Sequence, residues 1–269
     1  MNKEITVKNL IANKLDSGVS EYVFDGEKIL DNEITLLVDK NENINILFIN
    51  LNDGFSAHLI FEENVNVNLS IFLKNNDKSV KFDAKLAQNS YVNAYCADFS
   101  NGKNNSEFIF NLNSKNAKCD WHLASLSSSN DSKNISVSIN HNFPNTTASV
   151  DNYGVCKGNS KLTFSGTSFI AKGSHGSKTR QNAKIMVFDL ASDACAKPIL
   201  KIDENDVEAS HAAVVGKIND EHMFYLTSRG ISFNDARSLI TLGSLKPILK
   251  GFLNEIYQQE ISNLIEGKL

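Results

Sequence analysis

The chain has 269 residues and a formal net charge of −4, a balance that argues against a nucleic-acid partner, which would call for a basic patch. Its 41% hydrophobic and 22% charged residues suit a water-soluble chain of one large domain or two small ones, and a β-rich solenoid could use the whole length. Apolar runs fall short of the roughly 18–20 residues of a membrane span, and the opening MNKEITVKNLIANKLDSG scatters charges where a signal peptide needs an apolar core, so the expectation is a cytoplasmic chain without a membrane partner.

Residues 1–20 read as a short N-terminal extension. From about Glu21 to about Ile202 the sequence is written in period two. Ile44, Ile46 and Phe48 alternate with Asn45 and Leu47; Val65, Val67, Leu69 and Ile71 alternate with Asn66, Asn68 and Ser70; Ile135, Val137 and Ile139 alternate with Ser136, Ser138 and Asn140. Such alternation sends one set of side chains inward and the other outward on a strand. Between the runs lie KNNDK (74–78), SNGKNNSE (100–107) and SSSNDSKN (127–134), rich in residues that stabilise tight turns. Many short strands with turn signals between them suggest a sandwich, a barrel or a solenoid. Asparagine on the wet face favours the solenoid, in which each coil closes the edge of its neighbour. No single fixed period is visible. Cys96, Cys119, Cys156 and Cys195 are widely separated, which fits reduced, mostly buried thiols better than a disulfide framework or a zinc ribbon.

The pattern changes after residue 216, and the expected division is a β body over 21–215 followed by a helical unit over 216–269. Asn219 or Asp220 can cap a short helix ending at Gly230. Ser232 begins a Ser-x-x-Asp start for a second helix stopping at Gly243. A last helix is expected from about Lys246 to Glu266, with Pro247 in its first turn. Ile248, Leu249, Phe252, Ile256, Ile261, Leu264 and Ile265 form its apolar stripe.

The segment KPILKIDENDVEASHAAVVGKINDEHMFYLTSRGIS (197–232) resembles the most characteristic stretch of the SufB/SufD family of the SUF iron–sulfur cluster assembly system. The residues that carry the resemblance are Lys197-Pro198, Asp203-Glu204, Ser210-His211-Ala212 and the run from Asp220 to Ile231. Upstream, His141, Thr147, Ser149, Phe164, Gly166, Gly173 and Gln181-Asn182 stand where similar residues occur in that family. The resemblance implies a mostly β fold, a right-handed parallel β-helix followed by a small C-terminal helical domain. Asn182 stands where the SufB-like branch typically has a cysteine, so the chain looks closer to SufD. Ala209 replaces a cysteine that some SufD-like members carry, and the family's N-terminal helical extension is nearly absent.

His211 is the first candidate for chemistry. An imidazole titrating near neutrality can ligate iron or relay a proton, and Ser210, Ala212 and Ala213 leave room beside it. The resemblance implies a place for it at a SufB–SufD interface, near a nascent iron–sulfur cluster and as an iron ligand. The plainer account is a hydrogen-bonded histidine at the end of the β body. Asp203, Glu204 and Glu208 could accept iron or orient the histidine, or form a solvated acidic edge. A regular strand would place Glu204, Asp206 and Glu208 on one face. Cys195, at a turn-like site, offers a soft ligand. His175 lies in a loop that lacks the Gly-Lys-Ser/Thr order of a phosphate loop.

Phe224, Tyr225 and Arg229 form the remaining feature. The resemblance implies a docking surface for SufC, an ABC-type ATPase; alternatively the aromatics pack the helices onto the body. The function so implied is that of a non-catalytic scaffold subunit, not an enzyme, partnered by a SufB-like protein and the SufC ATPase. It would hold no tightly bound cofactor, with a transient cluster at the interface, and a homodimer is one state open to the isolated chain. Two other readings stay open. One is a β-helix polysaccharide-active enzyme, for which Trp121 is the lone tryptophan. The other is a degenerate member that merely stabilises a partner.

Overall fold

The computed structural model describes residues 3–6, 13–14, 20–28, 31–74, 76 and 78–269, with side chains from residue 21 onward in those ranges. The strands begin with β1 (Lys3–Thr6), β2 (Asn13–Lys14), β3 (Ser20–Asp25), β4 (Glu33–Val38), β5 (Asn43–Ile49) and β6 (Phe55–Phe61). Then come β7 (Asn66–Leu73), β8 (Ser79–Leu86), β9 (Tyr91–Asp98), β10 (Lys103–Leu112), β11 (Lys118–Ser127) and β12 (Ser132–His141). The last are β13 (Thr147–Cys156), β14 (Lys161–Ile170), β15 (Ser177–Val187), β16 (Asp193–Ile202) and β17 (Val207–Gly216).

From β3 onward, successive strands fall in alternate sheets. Among the described residues the first sheet runs β1-β4-β6-β8-β10-β12-β14-β16 and the second β17-β15-β13-β11-β9-β7-β5-β3-β2. The pairings are parallel, apart from an antiparallel contact of β2 with β3. The result is a parallel β-solenoid, in which each coil lays one strand on each sheet. Part of the expected 1–20 extension belongs to it, because β1 pairs with β4. Its four residues, KEIT, are too short a run for alternation to be read. Residues 1–2, 7–12 and 15–19 of that extension lie outside the described residues.

From β5 to β15 the coils lengthen along the chain, which is why no fixed period can be seen. In the second sheet Asn43 pairs with Asn66, Asn66 with Tyr91, Tyr91 with Lys118, Lys118 with Thr147, and Thr147 with Lys178. Those offsets are 23, 25, 27, 29 and 31 residues. One corner is nevertheless kept in step by asparagine. Asn41, Asn64, Asn89, Asn116 and Asn145 all have positive φ, a conformation asparagine tolerates better than most residues. Asn64, Asn89 and Asn116 each donate a side-chain N–H to the asparagine one coil back, at 3.0–3.1 Å.

Inside, aromatic rings stack from coil to coil. Phe24 lies 4.9 Å from Phe48, Phe48 lies 5.1 Å from Phe82, Phe82 lies 5.6 Å from Phe108, and Phe108 lies 4.5 Å from Trp121. Trp121 is thus a core residue, its indole N–H donating to Asn152 Oδ1 at 2.9 Å. Burying each such side chain contributes about 1.5–3 kcal/mol. Towards the last coils the interior turns polar, with His141, Thr146, Ser168, Ser177, Thr179 and Gln181 all buried.

The helices α1 (Asp220–Thr227), α2 (Phe233–Leu245) and α3 (Glu255–Gly267) follow, capped by Asn219, Ser232 and Asn254. They cover the outer face of the second sheet. There Leu245, Ile248, Phe252, Ile261 and Ile265 bury themselves against Phe72, Phe99, Leu126, Val155 and Met186. Helix α2 runs past Gly243 to Leu245. The single helix expected over 246–266 is broken: a 3-10 turn spans Lys246–Gly251 and α3 begins at Glu255. Gly251 explains the break. Its carbonyl leaves the helical ladder and accepts from Asn68 Nδ2 at 2.8 Å and Ser70 Oγ at 2.6 Å. Its Cα lies so close to the Tyr95 ring that an added Cβ would be 2.1 Å from Cγ. After that break Ile256 leaves the stripe and is exposed. Among the described residues no helix is long and apolar enough to cross a membrane.

Candidate functional site

Among the described residues the last coil, β16 and β17, is covered by no further coil, so its strands are the outer edges of the two sheets. Register decides which way each side chain points. His211 pairs with Gln181, Ala209 with Thr179 and Ala213 with Ala183, and those three β15 residues are buried in the solenoid interior. His211 therefore stands on the inner face of β17, over Gln181, and is exposed because nothing closes the mouth. Around it, Ala194, Ala196, Pro198 and Leu200 of β16 share register with the inward residues of β14. Ile202 and Val215, inward in register with Ile170 and Ile185, are exposed at this end, while Ile199 and Val214 are exposed on the outer faces of the same two strands.

The floor of the mouth is a satisfied polar layer. Gln181 Nε2 donates to Ser168 Oγ at 2.8 Å and to the Ile199 carbonyl at 3.1 Å, and Thr179 Oγ1 donates to Ser168 Oγ at 2.9 Å. The absence of a side chain at Gly166 makes room for Gln181, whose Oε1 would lie 2.5 Å from a Cβ there. Deeper in, His141 Nδ1 meets Thr146 Oγ1 at 2.8 Å while its Nε2 has no partner among the described residues. Burial lowers the His141 pKa to about 4, which keeps the ring neutral at physiological pH.

The other sequence candidates do not converge on His211. The segment 203–206 is a turn rather than strand, as its acidic and asparagine residues favour. Glu204 holds that turn together. Its Oε2 accepts from the Gly173 N–H at 2.9 Å and its Oε1 from those of Asn205 and Asp206 at 2.8 and 3.4 Å. These backbone bonds lower its pKa. Glu208 faces outward and pairs with Lys178 at 2.6 Å. Cys195, half-buried, pairs in register with Thr163 and faces the outside of the first sheet. Asn182 lies on the outer face of the second sheet, within 3.4 Å of Asp151 Oδ1 and Tyr153 OH. Among the described residues no three His, Cys, Asp or Glu side chains form a metal-binding group. An ion held by His211 would need ligands beyond the described residues as they are arranged here.

On the helices, Phe224 and Tyr225 are 73% and 52% exposed, so they do not pack the helices onto the body. The Arg229 guanidinium lies 4.1 Å from the centre of the Tyr225 ring, a cation–π contact between two exposed side chains. Phe233 and Leu239 of α2 are exposed too. The apolar rim of the mouth was missed from sequence. The runs PIL and AVV look like ordinary buried strand, and only the lack of a following strand marks them as bare.

Comparison with known proteins agrees with this architecture. An iron–sulfur cluster assembly SufBD family protein of Mycobacterium tuberculosis is 32% identical over 126 residues, covering 47% of this chain and 15% of that protein. The iron–sulfur cluster assembly protein SufD of Bacillus subtilis is 32% identical over 117 residues, covering 44% of this chain and 27% of its own. SufB of the same organism is 28% identical over 129 residues, covering 48% and 28%. The matched region is therefore under a third of the length of each of these relatives. The family profile described as SUF system FeS cluster assembly, SufBD core domain, matches residues 30–244, and on that match the chain belongs to the SufBD family.

Proposed function

We propose that this chain is a SufD-like, non-catalytic scaffold subunit of a cytoplasmic iron–sulfur cluster assembly complex. It pairs through its uncovered last coil with a SufB-like subunit, and its helices dock a SufC-type ATPase. The observation that carries this reading is the bare mouth, where two unpaired strand edges, an apolar rim and an inward-facing His211 lie together. Unpaired edges with exposed apolar side chains are costly unless another chain covers them. A partner with a matching coil would pair both edges and supply the further ligands that iron at His211 needs. The cluster is cargo in this scheme, formed transiently at the interface and passed on. Phe224 and Tyr225, with Phe233 and Leu239, form the apolar surface assigned to the ATPase. The asparagine at position 182 and the slightly higher identity to SufD favour the SufD-like side of the family.

The test is anaerobic purification of this chain co-expressed with SufB-like and SufC-like proteins from the same source. Bound iron and acid-labile sulfide are compared for the unmodified chain and His211→Ala. The expected result is an intact complex with reduced cluster content in the variant. Unchanged cluster content would remove His211 from the chemistry, and failure to form any complex would overturn the assignment.

A further inference from the structure

A separate constellation lies where the chain enters β10, beside the end of α3. Its sequence is Ser100-Asn101-Gly102, the only place in the chain where glycine follows asparagine. That order has a chemical meaning. The carboxamide of an asparagine can be attacked by the backbone nitrogen of the next residue, and glycine, with no Cβ, lets that nitrogen come closest.

The fold holds each group that such an attack would use. The Gly102 N–H donates to Asp131 Oδ1 at 2.8 Å. Asn101 Oδ1 accepts from Lys268 Nζ at 2.6 Å, and Asn101 Nδ2 donates to Asn76 Oδ1 at 3.1 Å. The main chain is fixed on both sides. The Ser100 N–H donates to Asp98 Oδ1 at 3.2 Å, the Ser100 carbonyl accepts from Lys268 Nζ at 2.9 Å, and the Gly102 carbonyl accepts from the Ser132 N–H at 2.9 Å. Asp131 and Lys268 are 7% and 12% exposed and stand 3.9 Å apart, beyond hydrogen-bond reach, so neither is spent on the other. Asp131 Oδ2 is taken by the Ser128 N–H at 3.0 Å, which leaves Oδ1 to Gly102. Further in, Asp98 and Lys133 form a fully buried pair at 2.9 Å. Asn101 itself is exposed, so water reaches it.

We infer that Asn101-Gly102 is a self-processing site, at which the folded chain converts Asn101 through a cyclic imide into aspartate and isoaspartate. The Gly102 nitrogen attacks Asn101 Cγ while its proton passes to Asp131, which lies within the reach of a general base. Negative charge collects on Oδ1, where the Lys268 ammonium already donates. A bond forms between the Gly102 nitrogen and Cγ, the Cγ–Nδ2 bond breaks, and Nδ2 leaves as ammonia with the proton that Asp131 returns. Water then opens the imide at one of its two carbonyls. Opening at Cγ gives aspartate, whose carboxylate forms an ion pair with Lys268. Opening at the main-chain carbonyl gives isoaspartate, which adds a methylene to the backbone at the entry to β10. This inference is independent of the proposed role in cluster assembly.

The experiment incubates the full chain at pH 7.5, folded and unfolded in guanidinium chloride. Loss of Asn101 and growth of the imide, aspartate and isoaspartate are followed by peptide mass spectrometry. The unfolded chain reports what the Asn-Gly order does alone, and the ratio of the two rates reports what the fold adds. The folded chain is expected to react at least about tenfold faster, and Asp131→Asn or Lys268→Met to remove about tenfold or more of that rate. A folded rate equal to or below the unfolded one overturns the inference without recourse to any variant. So does a folded rate that neither substitution lowers.

Discussion

Strands β15 and β17 are neighbours in one ladder, yet the first alternates buried and exposed residues while the second is bare along most of its length. Both follow the same inward and outward register. What differs is the next coil: β15 has one above it and β17 has none. In a solenoid, burial is conferred by the neighbour as much as by a strand's own residues. The same His or Val is core in one coil and surface in the next.

Breaking the covered part of the molecule should cost most. Asp98→Ala strands the Lys133 ammonium inside the solenoid, and urea unfolding should show a loss of about 3–5 kcal/mol. Acid comes next. With the folded pKa of His141 held below that of the unfolded chain, the unfolded state takes up the proton first as pH falls. The stability held above pH 6.5 should decline down to about pH 4, by up to about 3 kcal/mol. His141→Gln should flatten that part of the pH–stability curve, and an unaltered slope would assign it to other groups. Gly251→Ala drives a methyl into the Tyr95 ring, an overpacking cost of about 1–3 kcal/mol, seen as faster amide exchange in α3 and the preceding turn. The bare part should respond least. Val215→Ser or Ile202→Ser, at inward positions left bare by the missing coil, should change the stability of the isolated chain by no more than about 0.5 kcal/mol. Equal losses at Val215 and Phe82 would abolish the contrast between covered and uncovered coils.

Much of this was legible in the sequence. Alternation placed the strands, the caps Asn219 and Ser232 marked two helix starts, and the 197–232 segment pointed to the family. What could not be read depends on residues distant in the chain. The break at Gly251 is made by Asn68, Ser70 and Tyr95, each more than 150 positions away. The inward direction of His211 follows from its pairing with Gln181, and the outward direction of Cys195 from its pairing with Thr163. Glu204 looked like a strand carboxylate until Gly173 was seen to donate to it. Lys133, inside a hydrophilic SSSNDSKN run, is buried because Asp98 waits one coil earlier. Local pattern reports which element forms, and coil-to-coil register reports what it meets.

The lengthening of the coils has a consequence for assembly. Offsets grow from 23 residues between β5 and β7 to 30 between β15 and β17, so the coil at the mouth is longer than those in the middle of the solenoid. A shorter coil laid on it would pair part of each edge and leave the remaining N–H and C=O groups bare. Full pairing of both edges at once asks for a coil of like length.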